Sequence, residues 1–316
     1  MKLGLWFADA PFRRWRDALV QHASELGLAI EVFDACADPD AQADFALVWK
    51  PDADWLAGQL GLRAVFNLGA GVESALPLLQ RHAPGVPLIR LEDAGMGRQM
   101  ADYVAECVLH AWRRVDDYAE LQRAARWEQL TQLPRGAFKV GFLGLGQMGH
   151  AAAKRVAAMD FPVLACTRSG EARPGLEPPG ELLPLQRLDE FLAQTRVLVV
   201  LLPLTAQTTR LLDYAALRQL PQGAYVVNAA RGAVLDTTDL LELLNDGHLG
   251  GATLDVFDTE PLPAHSPLWR QPRLRLTPHV AAQTLIGPAA AQILRNIAAL
   301  ERGETPGGLV DMRLGY

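Results

Sequence analysis

The sequence predicts an α/β protein built on two doubly wound parallel sheets, on three observations. Short apolar runs alternate with amphipathic stretches in two successive series, a G-x-G-x-x-G turn opens the second series, and the 316 residues suffice for about two domains at roughly 150 residues each. Half of the residues are hydrophobic and 21% are charged, an ordinary globular balance that sets aside disorder and low-complexity architectures. Thirty Lys and Arg against 36 Asp and Glu leave a net charge of −6 with no long basic block. Nonspecific binding to nucleic acid or an anionic membrane therefore lacks electrostatic support, and a small-molecule partner fits better. The longest apolar stretch, Val197 to Leu204, is interrupted by Pro203 and falls far short of the roughly 20 residues that cross a bilayer. The first residues hold one Lys and an apolar run ending at Asp9, which reads as a strand rather than a secretory leader. Cys36, Cys107 and Cys166 have the spacing of neither a disulfide framework nor a metal site, so a reducing cytoplasm is the expected compartment and no metal is expected.

Taken in order, residues 3–8, 30–33, 45–49, 63–66 and 87–91 read as strands, with helices such as 12–26 between them. That alternation implies a parallel sheet wrapped by helices. Residues 99–127 read as one long helix, because Tyr103, Val104, Cys107, Val108, Ala111, Trp112 and Val115 recur at three- and four-residue steps. It connects the two series, with a further role in dimerisation left open. The second series begins at Phe138, with strands at 139–143, 162–167, 197–202, 224–228 and 252–256 and helices at 147–159, 208–219 and 237–245. The stretch 173–184 is rich in Pro and Gly and reads as an irregular loop. After His279 come one helix, 287–302, and a loose tail. No internal repeat is present.

The turn itself, Gly144-Leu-Gly-Gln-Met-Gly149, follows an apolar strand and opens a helix, the context that a dinucleotide fingerprint requires. Gly144 permits the tight turn, Gly146 lets the backbone approach a pyrophosphate, and Gly149 allows helix to pack on strand, while the helix N-terminus faces the phosphates. The next strand ends in Cys166-Thr-Arg-Ser169, without the acid that would take a ribose 2′-hydroxyl. Arg168 is placed to meet a 2′-phosphate, with Thr167 or Ser169 beside it, so NADP is expected over NAD.

Three ionisable residues stand at strand-end and turn signals further on: Arg231 in Asn228-Ala-Ala-Arg-Gly232, Glu260 before Pro261, and His279 in Thr277-Pro-His-Val280. In an open α/β sheet the carboxyl ends of strands line the ligand crevice, so residues this far apart in sequence can converge. With Asn67-Leu-Gly-Ala-Gly-Val72, Leu202-Pro-Leu-Thr205, Leu254-Asp-Val-Phe257 and Pro278-His-Val-Ala-Ala282, these pieces run in the order found in one family. The chain resembles the D-2-hydroxyacid dehydrogenases, most closely their glyoxylate and hydroxypyruvate reductase branch.

The resemblance implies two Rossmann-like doubly wound domains: a dinucleotide-binding domain, residues 99–284, inserted into a discontinuous flavodoxin-like substrate domain, residues 1–98 with 285–316. It also implies a homodimer, and NADPH-dependent reduction of small 2-keto acids, glyoxylate to glycolate and hydroxypyruvate to D-glycerate. Arg231 would grip the substrate carboxylate and carbonyl, aided by backbone N–H groups of Ala70 and Gly71. His279 would donate the proton, and Glu260 would hold its ring and favour the charged form. Asp255 would bond the nicotinamide carboxamide or else serve its own turn. Gly144, Gly146, Gln147, Met148, Arg168, Ser169, Leu202, Pro203, Ala229, Arg231 and His279 complete the expected cofactor contacts. Thr205 and Thr208 either join them or cap the following helix. Trp49, Lys50 and the segment around Arg98 border the pocket or belong to core and solvent. No length follows Tyr316 for the regulatory domain of many phosphoglycerate dehydrogenases. Two alternatives stay open: a reductase for another 2-keto acid such as pyruvate or phenylpyruvate, and a non-catalytic dinucleotide-sensing corepressor.

Overall fold

Parallel strands covered by helices on both faces must be largely apolar, and the central strands of both sheets meet that condition in the computed structural model, which describes residues 1–7, 11–172 and 175–315. Ala8 of the first expected strand, Arg173 and Pro174 of the expected loop, and Tyr316 lie outside the described residues. The chain divides into two compact units, Met1–Gly95 with Thr284–Tyr316, and Met96–Gln283.

The first unit runs β1 (Lys2–Trp6), α1 (Phe12–Glu25), β2 (Glu31–Asp34), β3 (Phe45–Val48), α2 (Ala53–Gly58), β4 (Ala64–Asn67), α3 (Leu76–His82) and β5 (Leu88–Arg90). Its strands form a wholly parallel sheet in the order β2-β1-β3-β4-β5. β3 and β4 are buried along their whole length. Helix α1 turns Trp15, Leu19 and Ala23 inward at four-residue steps.

The second unit opens on α4 (Met96–Trp112) and α5 (Val115–Arg123). It continues with β6 (Val140–Leu143), α6 (Gln147–Ala157), β7 (Val163–Thr167), β8 (Glu181–Pro184), α7 (Leu188–Ala193), β9 (Val197–Val200) and α8 (Tyr214–Arg218). It ends with β10 (Ala224–Asn228), α9 (Thr237–Asn245), β11 (Leu249–Leu254) and β12 (Leu274–Leu276). The sheet order is β12-β11-β10-β9-β6-β7-β8, parallel throughout. From β6 the chain steps outward to β7 and β8, then returns to lay β9 on the other side. The reversal between β6 and β9 is the switch point at which a Rossmann sheet takes its ligand. Alternate residues of the strands serve opposite cores: Val197 and Val199 pack with Val104, Val108, Ala152 and Val156, and Leu198 and Val200 with Phe191, Leu217, Leu240 and Leu243. Helix α10 (Ile286–Glu301) then returns to the first unit and lies against α1.

Four expectations are corrected. The single helix over 99–127 is two, because Arg114 takes a left-handed backbone, φ 56°, and the Arg114 N–H tightens onto Ala111 O. Asp116 and Asp117 then start α5 by pairing with His110 and Arg114. Residues 181–184 of the expected loop form β8, an edge strand on β7, where Pro184 is tolerated because the edge needs no further donor. The helix expected over 208–219 shrinks to α8. Thr208 and Thr209 bond back to Pro203 O and Thr205 O, Leu212 bridges Leu235, and Asp213 caps only from Ala216 N. The tail is not loose: Leu309 bridges Ile89 antiparallel, and Val310 N reaches Leu88 O at 2.9 Å, satisfying backbone groups on the edge of β5.

Candidate active site

The turn after β6 takes the form that its glycines dictate. Gly144 sits at φ +100°, and a Cβ there would stand 2.7 Å from Leu201 O; the turn therefore lies directly on the end of β9, at the switch point. A Cβ on Gly149 would meet Gly144 O at 2.4 Å, which is how α6 approaches the turn so closely. Gly146 differs, for a Cβ there meets no protein atom within 4 Å. It is the N-cap of α6 with no side chain over it, and together with the α6 N-terminus it forms an open cradle of backbone N–H groups and positive dipole that suits a pyrophosphate. Gln147 and Met148 form the first turn of α6. Leu202 and Pro203 follow β9 beside the cradle and are half-buried.

At the tip of β7 the hydroxyls organise the turn. Thr167 Oγ1 accepts the Gly170 N–H at 3.2 Å, and Ser169 Oγ accepts the Glu171 N–H at 3.2 Å. Arg168 between them is exposed. Thr208 is 7% exposed, and its hydroxyl donates to Pro203 O at 2.7 Å while accepting from Thr205 N. Of the two readings of that hydroxyl, the turn role is the one realised in its hydrogen bonds.

Three adjacent strands carry the ionisable groups. Asn228, Leu254 and Leu276 stand in one row across β10, β11 and β12, so the segments leaving that row start side by side. On the first segment, Asn228, 1% exposed, donates to Arg231 O at 3.0 Å and accepts from Ala230 N at 3.1 Å. Ala229 is buried within that turn. Arg231 is half-buried, with its Nη1 donating to Ala230 O at 2.6 Å. At Gly232 a Cβ would fall 2.0 Å from Phe257 C, so only glycine lets the Arg231 turn lie against the segment that leads to Glu260.

On that second segment Glu260, joined to Pro261 by a cis bond, uses both oxygens. Oε1 accepts the Phe257 N–H at 3.0 Å, and Oε2 stands 2.8 Å from His279 Nδ1. Burial alone would push the Glu260 carboxyl up. The His279 hydrogen bond, the Phe257 N–H and the charges of His279 and Arg231 outweigh it and hold the group below the ordinary carboxylate range. With Glu260 an acceptor, Nδ1 carries the hydrogen, and Nε2 is the nitrogen free to exchange a proton. His279 is 44% exposed at its side chain and has a left-handed backbone, φ 54°.

Asp255, 1% exposed, holds that backbone in place. Its own carbonyl accepts the His279 N–H at 2.8 Å. Its carboxylate accepts from Thr277 Oγ1 at 2.6 Å, Val280 N at 2.9 Å and Ala281 N at 2.9 Å. The turn role left open in the sequence is thus present, whatever else the carboxylate binds.

In the first unit, Asn67, fully buried at the end of β4, donates to Gly69 O at 3.1 Å and Gly71 O at 2.6 Å, fixing the loop of Ala70 and Gly71. Trp49 lies on this loop, since a Cβ on Gly69 would be 3.0 Å from its ring. Lys50 is exposed with φ 50°, and Arg98 is exposed on the first turn of α4. Sequence reasoning assigned no role to Asn67, Asn228, Gly232 or Thr277. Each sits inside a quoted motif, and a polar residue at the end of a fully apolar strand is the signal that marks both asparagines.

The pattern has relatives. The family model for the NAD binding domain of D-isomer specific 2-hydroxyacid dehydrogenases matches residues 105–281. A glyoxylate/hydroxypyruvate reductase A of Salmonella paratyphi B is 48% identical over 278 residues, 87% of this chain and 88% of that protein. The crystal structure of a D-isomer specific 2-hydroxyacid dehydrogenase from Xanthobacter autotrophicus Py2, in complex with NADPH and MES, matches with a TM-score of 0.90 and 38% identity, covering 100% of this chain and 99% of that one. An NADPH-dependent glyoxylate/hydroxypyruvate reductase from Sinorhizobium meliloti, in complex with NADP and sulfate, matches with a TM-score of 0.86 and 33% identity over 100% and 99% of the two chains. The switch-point cradle, the Glu260–His279 pair and these matches over most of its length agree, and the chain belongs to the D-isomer specific 2-hydroxyacid dehydrogenase family.

Proposed function

We propose that this protein is an NADPH-dependent reductase of small 2-keto acids, converting glyoxylate to glycolate and hydroxypyruvate to D-glycerate. The observation that carries the reading is the Glu260–His279 hydrogen bond of 2.8 Å, formed on the same strand ends as Arg231, in the unit that holds the glycine cradle. The glyoxylate/hydroxypyruvate reductase A relative and the relatives crystallised with NADPH and NADP support it.

Bound at the cradle, NADPH supplies the hydride. The rest belongs to the chain. The Arg231 guanidinium takes the substrate carboxylate through its planar fork, which a Lys ammonium cannot reproduce; the family resemblance also assigns substrate contacts to the backbone N–H groups of Ala70 and Gly71. His279 gives the Nε2 proton to the carbonyl oxygen as negative charge develops there, and Glu260, ionised, steadies the imidazolium and fixes the ring through Nδ1. Gln147, Met148, Leu202, Pro203 and Ala229 border the cofactor, and Asp255 holds the turn of His279 beside it. A steady-state survey of glyoxylate, hydroxypyruvate, pyruvate and phenylpyruvate with NADPH and NADH tests the reading. The expected result is the highest kcat/KM for glyoxylate and hydroxypyruvate with NADPH. Tight NADPH binding with no oxidation on any keto acid would favour a sensing protein instead.

Arg168 selects the cofactor in this account, through charge-assisted bonds to the 2′-phosphate. Arg168→Asp should shift the ratio of kcat/KM for NADPH over NADH by about two orders of magnitude toward NADH, the worth of roughly 3 kcal/mol from lost attraction and added repulsion. An unchanged ratio would remove Arg168 from the discrimination.

The protein is assigned to a homodimer formed through α5 and the segment after it. Helix α5 buries none of its residues, Trp127 is fully exposed, and Val115, Tyr118 and Leu133 are also exposed. A groove of about 700 Å³ runs along Tyr118, Leu121, Ala125 and Trp127. An apolar face of this kind on a folded chain marks a protein contact, and a second copy is the partner that the family resemblance implies. Trp127→Glu should convert a dimer to a monomer in light scattering at micromolar concentration, and a monomeric parent would refute the assignment. No helix among the described residues is long and apolar enough to cross a membrane. Three free thiols, two of them buried, favour a reducing compartment, and we place the protein in the cytoplasm.

A further inference from the structure

The turn that carries His279 is held in an unfavourable conformation. A non-glycine residue at φ 54° is disfavoured unless its surroundings fix it. What fixes it is Asp255, through the bonds to its carbonyl and carboxylate given above. That carboxylate has no ion-pair partner among the described residues, so its burial is offset by hydrogen bonds alone, and each donor counts. Two of the donors are backbone N–H groups of the turn itself. The third is the Thr277 hydroxyl, at 2.6 Å from Oδ1.

Thr277 has one hydroxyl proton, and Asp255 receives it. The Tyr103 phenol lies 2.6 Å from the same Thr277 oxygen and must therefore be the donor in that contact. Burial pushes the Tyr103 hydroxyl above its usual range, which keeps its proton in place. A directed chain of donors thus runs from Tyr103 on α4 through Thr277, just past β12, to the Asp255 carboxylate just past β11, which also accepts the Val280 and Ala281 N–H groups that follow His279. Tyr103 is 174 residues from Thr277 in sequence, and neither residue touches the imidazole.

We propose that Tyr103 and Thr277 are positioning residues for His279, a relay that orders the Asp255 carboxylate and through it the left-handed turn presenting the imidazole. The inference rests on the reading of His279 as the proton donor. Mispositioning an acid by a fraction of an ångström lowers turnover without weakening cofactor binding. Thr277→Val, which keeps shape and removes the donor, should lower kcat about tenfold or more with the KM for NADPH within about twofold of the parent. Tyr103→Phe should lower kcat by a smaller factor, about threefold, because Thr277 still reaches Asp255. Thr277→Ser, which restores the hydroxyl, should recover most of the loss that the valine causes.

The decisive measurement needs no turnover. In protein labelled with ¹⁵N-histidine, the Nδ1 and Nε2 resonances of His279, assigned by their absence in His279→Ala, should move in Thr277→Val and return in Thr277→Ser, with melting temperature recorded as the control for folding. Resonances and kcat unchanged in both Thr277→Val and Tyr103→Phe would overturn the relay. A parent protein silent toward every keto acid would sink the reductase reading, yet the His279 resonances would still decide whether the relay sets the turn.

Discussion

His279→Ala is expected to lower the turnover of 2-keto acid reduction by about two to four orders of magnitude, the usual worth of a general acid, while leaving NADPH affinity within a few fold. The loss should fall on kcat, because the proton moves only as the carbonyl oxygen becomes negative. The acid side of the pH profile belongs to Glu260. Its carboxyl is held below the ordinary range, so its bond to His279 is present above the unfolded carboxyl pKa and is lost only as pH falls through the lowered folded value. The parent should therefore keep its activity to a more acid pH than a free carboxylate would allow. Stopped-flow oxidation of NADPH across pH, with both proteins at saturating glyoxylate, provides the check. A variant with near-parental turnover would take the imidazole out of the reaction.

The second large effect is at Arg231. Arg231→Ala should reduce kcat/KM for glyoxylate by about 10²–10³-fold, the loss of two hydrogen bonds to a charged group at roughly 1.5–3 kcal/mol each, discounted for their shared geometry. Arg231→Lys should recover no more than about tenfold of this, since it restores a charge without the fork. The contrast between the two variants carries the prediction: a lysine variant equal to the parent would reduce the role to a diffuse positive field. Because Arg231 also donates to Ala230 O, NADPH affinity and melting temperature should be followed in both variants, and both should stay close to the parent if the loss is one of substrate grip.

Legibility in the sequence followed the range of the interaction. The turn at Gly144 was readable because its φ of +100° and the contact of Gly149 with its carbonyl admit almost no other residue. Strands such as β9 were readable because burial on both faces leaves only apolar choices. The Glu260–His279 pair was foreseen from its family motif, and its 2.8 Å separation follows from the neighbouring rows of β11 and β12. The break at Arg114 was hidden, because a left-handed non-glycine residue leaves no mark on a periodic apolar stripe, and Val115 continues the stripe numerically while standing exposed. β12 was hidden too, being three residues with Arg275 at its centre, whose guanidinium is neutralised by Glu106 far away in the chain. Tyr103 carried the signal of an ordinary core residue, and only the fold reveals which hydroxyl it meets.

The seam at Gly232 has a consequence for how this site tolerates change. The Arg231 turn and the Phe257–Asp258 backbone lie so near that not even one methyl group fits between them. The backbone segments that carry the guanidinium and the carboxyl group are therefore held together by close steric fit at Gly232. A chain that kept every ionisable side chain and gained a single carbon there would have to wedge two main-chain segments apart. A side chain at that one position is thus barred on steric grounds, even though the residue itself performs no chemistry.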